Sequence, residues 1–214
     1  MNTTIDRILE EKIIMIARNI PKDKLPALAE ALYRGGIRLM ECTFDASGKT
    51  PDEETAASIA SLVKQFEGRM LIGAGTVLTE KQVRLTKEAG GRFIISPDVN
   101  EDVIKESGRC GLVSIPGALT PSEATAAHRA GADFIKLFPV GSLGAPYVKA
   151  LCAPLSHLRF LAVGGVGLAN ARTFLDAGAL GVGMSISAED KDALARGDLA
   201  AIEARARALV EAVK

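Results

Sequence analysis

Four times along this chain a helical stretch stops on a glycine and an apolar strand follows: "RGGIRLMEC", "EAGGRFIIS", "RAGADFIKL" and "DAGALGVGM". Glycine takes the left-handed backbone of a helix C-cap without strain, and the apolar residues behind it suit a buried strand. A unit of this kind cannot bury its own strand, so its recurrence predicts strands side by side with helices outside them. Runs that suit strands fall near residues 13–18, 38–44, 70–76, 92–97, 111–117, 134–139, 159–166 and 179–186, and each is followed by a helical pattern. Helix starts are marked too. "TPSEAT" offers Thr120 as N-cap, Pro121 in the first turn and Glu123 as the reciprocal capping-box acid. Eight βα units without a linker predict an α/β fold, a single (β/α)8 TIM barrel over residues 1–214 with a short N-terminal helix. A doubly wound open sheet is the alternative. The barrel is preferred because the first strand lacks G-x-G-x-x-G and polar residues gather at the carboxyl ends of many strands.

One lysine is out of keeping with its strand. In "FIKLFPVG", Lys136 lies between Ile135 and Leu137, with Phe134 and Phe138 on its own side of the pleat. Lysine is almost never fully buried without a partner, so it sits at a solvent edge or is held inside for chemistry. The repeat supplies a partner. Glu41 is five residues past Gly36 and Lys136 five past Gly131, equivalent places on the second and sixth strands. Inward side chains of alternate barrel strands share a layer, so both charges are expected to face one cavity. A buried ion pair without chemistry is the competing reading. At the ends of strands seven and eight, "LAVGGVG" and "LGVGMSIS" place Gly164, Gly165 and Gly183 where backbone N–H groups can approach an anion, with Ser185 as a hydroxyl donor. Tight βα turns would explain one such sequence; two on neighbouring strands predict a phosphate site, hence a phosphorylated substrate.

Taken together, "RLMECTF", "LIGAGTVLT", "FIISPD", "VSIPGALTPSE", "FIKLFP" and "LAVGGV" resemble successive signatures of the 2-keto-3-deoxy-6-phosphogluconate and 4-hydroxy-2-oxoglutarate aldolase family, class I pyruvate aldolases. The resemblance runs over nearly the whole chain, in order. It implies Lys136 as the Schiff-base lysine, Glu41 as the acid/base group, and Thr76, Pro97 and Phe138 as substrate contacts. It also implies a homotrimer. One position departs: some relatives carry an arginine where this chain has Asp45, and Arg18 in "IIMIARN" is the first choice for the substrate carboxylate, a rim salt bridge being its alternative. Arg18 resembles an arginine of galactonate-type members, so the C4 epimer of the substrate stays open.

Such an enzyme cleaves 2-dehydro-3-deoxy-6-phosphogluconate, or a close analogue, to pyruvate and glyceraldehyde 3-phosphate. The galactonate epimer and 4-hydroxy-2-oxoglutarate are related substrates, and an isomerase or a non-catalytic sugar-phosphate binder are the other readings. No metal or cofactor is expected, since His128 and His157 are few and far apart in sequence. Lysine plus arginine balance aspartate plus glutamate at 26 each, which argues against nucleic-acid or membrane partners and for a small 2-keto acid. Cys42, Cys110 and Cys152 are odd in number and lack C-x-x-C spacing, as in reduced cytoplasmic proteins. The N-terminal apolar runs are broken too early for a signal peptide.

Overall fold

The computed structural model describes residues 3–214; Met1 and Asn2, which the expected domain of residues 1–214 includes, lie outside the described residues. Helix α1 (Thr3–Glu11) precedes β1 (Ile13–Ala17). Alternation then runs through α2 (Leu25–Arg34), β2 (Leu39–Thr43), α3 (Asp52–Gln65), β3 (Leu71–Gly75), α4 (Glu80–Glu88), β4 (Phe93–Ile95) and α5 (Glu101–Arg109). Beyond these come β5 (Val113–Ile115), β6 (Gly117–Ala118), α6 (Pro121–Ala130), β7 (Ile135–Leu137), α7 (Gly144–Cys152), β8 (Phe160–Val163), α8 (Ala171–Asp176), β9 (Gly181–Ser185), α9 (Ala188–Arg196) and α10 (Leu199–Val213).

Among the described residues the strands form one parallel sheet in the order β5-β4-β3-β2-β1-β9-β8-β7-β6. Eight strands were expected and nine are found, because Pro116 splits the fifth into β5 and β6. Proline has no N–H to give to a ladder, so the pairing on that strand lapses for one residue. The ring closes across the break. Phe134 N–H donates to Ser114 O at 3.2 Å, Lys136 N–H to Pro116 O at 2.9 Å and Phe138 N–H to Ala118 O at 3.1 Å. The fold is therefore a nearly closed, TIM-barrel-like parallel barrel.

The glycines of the repeat do what their chemistry allows. Gly36, Gly90, Gly131 and Gly178 all have positive φ, between 82° and 112°. Each ends a helix in the left-handed region and turns the chain into a strand. At α6 the capping box forms, with Glu123 N–H donating to Thr120 Oγ1 and Thr120 N–H to Glu123 Oε2. Five residues past each repeat glycine stand Glu41, Ile95, Lys136 and Gly183. Ile95, Lys136 and Gly183 line one small interior cavity; Glu41, expected to face the same cavity, does not line it and acts on Lys136 through its field.

Two apolar layers result. Outward-facing strand residues such as Met40, Ile72, Ile135 and Val182 pack under the helices. Inward-facing ones, among them Ile14, Ile16, Phe93, Ile115, Phe134 and Leu161, fill the barrel. Ile8 of α1 is buried in that inner cluster, with Ile5 and Leu9 beside it, so α1 closes the end of the barrel opposite the strand carboxyl ends. Among the described residues no helix is long and apolar enough to cross a membrane.

Candidate active site

Lys136 lies at the centre of β7 with 5% of its surface exposed. Its neighbours Ile135 and Leu137 point out to the helices, while Phe134 and Phe138 flank it inside. The ammonium Nζ stands 4.4 Å from the Phe138 ring centroid. Burial disfavours the charged amine and pulls its pKa below the usual lysine value; Glu41 opposes this, Arg18 adds to it and Asp98 opposes it weakly.

Glu41 on β2 is 1% exposed. Burial raises its carboxyl pKa to about 7 against the pull of Lys136 and Arg18. Oε2 is enclosed and has no hydrogen-bond partner among the described residues. A buried acceptor left unpaired costs about 1–3 kcal/mol, so a hydrogen-bond donor brought to this carboxyl would be favoured. Room for it comes from Gly75 on β3: a Cβ there would stand 2.1 Å from Glu41 Oε1. Both groups of the pair are thus pushed toward neutrality, an amine able to attack and an acid able to exchange protons near neutral pH.

Arg18, expected as the last residue of the first strand, lies just past β1, which ends at Ala17, and is exposed. Its Nη2 donates to Thr76 Oγ1 at 2.9 Å. Thr76, just past β3, is 8% exposed and has φ of 56°. A β-branched residue in the left-handed region is strained, and Thr76 holds that conformation with its hydroxyl accepting from the guanidinium. Asn19, next to Arg18, shares the left-handed backbone with φ of 55°.

The glycine-rich loop after β8 has Gly164 at φ 85° and Gly165 at φ 79°. Among the described residues the N–H groups of Gly164, Gly165 and Val166 donate to no backbone carbonyl. Successive free N–H groups of this kind form an anion-binding concavity. Gly141 N–H donates to Gly164 O at 2.7 Å, so the loop after β7 braces the loop after β8. Ser185 ends β9 beside Ile16 and is exposed at the same mouth. Pro97 lies past the end of β4, partly buried, with its carbonyl against Gly117, where a Cβ would come within 2.4 Å.

The family model for KDPG and KHG aldolase matches residues 5–205. The chain belongs to the KDPG and KHG aldolase family. This family member is 35% identical over 173 residues to the 2-dehydro-3-deoxy-6-phosphogalactonate aldolase of Escherichia coli (strain K12), covering 80% of this chain and 82% of that one. It is 33% identical over 191 residues to the KHG/KDPG aldolase of the same organism, covering 87% and 85%. Its fold superposes with TM-score 0.81 and 26% identity on a KDPG aldolase from Legionella pneumophila solved with pyruvate captured as a covalent carbinolamine, covering 96% and 97%. As a family member the chain is a carbon–carbon lyase.

Two features of this aldolase-family site, Asp98 and Gly75, were not singled out from sequence, and the departing position Asp45 takes a role of its own. Asp98, in "FIISPD", adds a carboxylate to the field at Lys136, and its place next to Pro97 was the signal. Gly75, in "GAGTV", is the space that Glu41 fills. Asp45, which stands where some relatives have arginine, turns back on its own loop. Its carboxylate accepts from Ser47 N–H at 2.9 Å, Ser47 Oγ at 2.6 Å and Thr50 N–H at 3.0 Å, which holds its pKa down at about 2. Asp45 therefore orders the β2–α3 loop. His128 and His157, far apart in sequence, meet on the outer surface with ring centroids 5.6 Å apart. No cluster of three or more potential metal ligands occurs among the described residues.

Proposed function

We propose that this aldolase cleaves 2-dehydro-3-deoxy-6-phosphogluconate, or its C4 epimer the galactonate, to pyruvate and glyceraldehyde 3-phosphate through a Schiff base on Lys136. The observation that carries the reading is a lysine buried in an apolar barrel strand, biased toward the neutral amine, that shares its cavity's electrostatics with a carboxyl poised near pH 7. The amine of Lys136 attacks the C2 carbonyl, and loss of water leaves an iminium. Glu41 takes the proton of the C4 hydroxyl, the C3–C4 bond breaks, and its electrons pass into the iminium as an enamine. The aldehyde leaves. Protonation of the enamine at C3 and hydrolysis then release pyruvate and restore the amine.

Arg18, held by Thr76, receives the pyruvyl carboxylate; Pro97 and Phe138 wall the pyruvyl portion. The free N–H groups of Gly164 and Gly165, with the Ser185 hydroxyl, receive the phosphate. Both C4 epimers give the same two products by these steps, and relatives named for each are similarly identical to this chain. 4-Hydroxy-2-oxoglutarate, which needs the same imine and no phosphate site, belongs in the same panel. The test is pyruvate release from the three acids, followed by borohydride reduction with pyruvate and peptide mapping. An adduct on Lys136, absent in Lys136→Ala, is expected; efficient trapping in Lys136→Ala would move the imine to another amine.

A further inference from the structure

Outside the barrel ring, between the loops after β1 and β2, lies an open cavity of about 680 Å3. Neither Lys136 nor Glu41 lines it; Arg18 borders it and also acts electrostatically on both. The volume falls within the range of small-metabolite sites, roughly 300–1,000 Å3. Its charge is unbalanced. Arg18, Lys22 and Lys49 line it against Asp45 and Glu54, and the Asp45 carboxylate is already taken by Ser47 and Thr50. Among the described residues Lys22, Lys49 and Glu54 form no salt bridge.

The floor is polar as well. Thr55 on α3 is only 7% exposed, and its hydroxyl has no hydrogen-bond partner among the described residues. Among the described residues the fully enclosed side-chain polar atoms without partners are Glu41 Oε2 and Arg205 Nη2, so the Thr55 oxygen is not sealed off, and Thr55 lines the cavity. A buried hydroxyl without a partner calls for one from an occupant. We infer that this cavity is a second ligand site, distinct from the imine site, for a small polyhydroxylated anion such as a sugar acid or sugar phosphate. The two lysines meet the anionic group, Thr55 meets a hydroxyl, and Glu54 accepts from another hydroxyl.

The test uses gluconate and glycerol 3-phosphate, which carry hydroxyls and one anion each but no carbonyl for Lys136 to attack. Calorimetric titrations are made on the full protein before and after reduction with pyruvate and borohydride, and on Lys22→Met/Lys49→Met, Thr55→Val and Ser185→Ala variants. Binding is expected to survive reduction, to weaken about tenfold or more in the double lysine variant and to weaken in Thr55→Val. Gluconate, which carries no phosphate, is expected to bind Ser185→Ala unchanged. Gluconate alone binding marks a carboxylate site and glycerol 3-phosphate alone a phosphate site, and either supports the inference when that binding is weakened in the double lysine variant. No binding of either probe, or binding lost in Ser185→Ala and kept in the lysine variant, overturns it. If reduction leaves no adduct, the Schiff-base reading has failed by itself, and the same titrations on untreated protein still decide the cavity.

Discussion

In the proposed mechanism most of the chemistry turns on Glu41. Its pKa of about 7 places the base form on the alkaline side of neutrality. If it takes the C4 proton, kcat/KM falls about tenfold per pH unit below about 7 as the carboxyl is protonated. A pH profile of pyruvate release checks this, and Glu41→Gln is expected to remove that limb and to lower turnover by roughly two to four powers of ten. Gly75 makes a second prediction at this scale. A methyl group there would stand 2.1 Å from Glu41 Oε1, so Gly75→Ala is expected to displace the carboxyl and slow cleavage. Because Glu41→Ala already lacks the displaced group, Gly75→Ala added to it costs little more activity. Equal losses in both backgrounds would show that Gly75 acts elsewhere. Lys136 and Glu41 were both legible in the sequence, because charges in apolar strands at one offset from a helix-ending glycine stand out. Gly75 was not, since an absent side chain announces nothing until its neighbour is placed.

Elements carry the site through their ends. Helix α6 starts on the Thr120–Glu123 capping box and stops at Gly131, φ 108°, which sets where β7 begins and so the height of Lys136. Thr120→Ala is expected to lower stability by about 1 kcal/mol, read from urea melts, with cleavage by the folded fraction unchanged. The cap signals and strand identities were readable, because they depend on a few neighbouring residues. Strand ends were read too long: 134–139 shortened to Ile135–Leu137 and 92–97 to Phe93–Ile95. Residues past those ends, Pro97 and Phe138 among them, border the mouth, and of these Phe138 still donates its N–H to Ala118 O. The break at Pro116 follows from its missing N–H, yet the sequence reading ran the strand through it.

For the whole molecule the same buried carboxyl links stability to pH. Folded Glu41 holds its proton up to about pH 7, whereas the unfolded group releases it near the ordinary 4.5. Its contribution is thus complete below 4.5 and is lost as pH rises through 7, on the order of 3 kcal/mol in all. Lys136, with its lowered pKa, acts in the other sense, its burial penalty fading as pH rises past the folded pKa. Urea melts at pH 5 and pH 8 are expected to show Glu41→Gln gaining on the parent protein at the higher pH. The barrel's closed end gives a further prediction. Ile8 of α1 is 1% exposed inside the barrel cluster, so Ile8→Ala is expected to destabilise by about 2–5 kcal/mol.

What the sequence determined by itself was whatever repeats or obeys short-range rules: the βα alternation, the glycine stops, the inward phase of each strand and the family signatures. These are properties of adjacent residues, and pleat and helix period translate them directly into direction. Tertiary structure decided what depends on distance between remote segments. It brought Arg18 to Thr76 across 58 positions, fitted Glu41 into the space above Gly75, and turned Asp45 back on its own loop. It also opened the cavity between the first two loops, whose uncompensated lysines are ordinary surface residues in the sequence. The reason is physical. Burial, field and vacancy are sums over neighbours in space, and only the closed barrel fixes who those neighbours are.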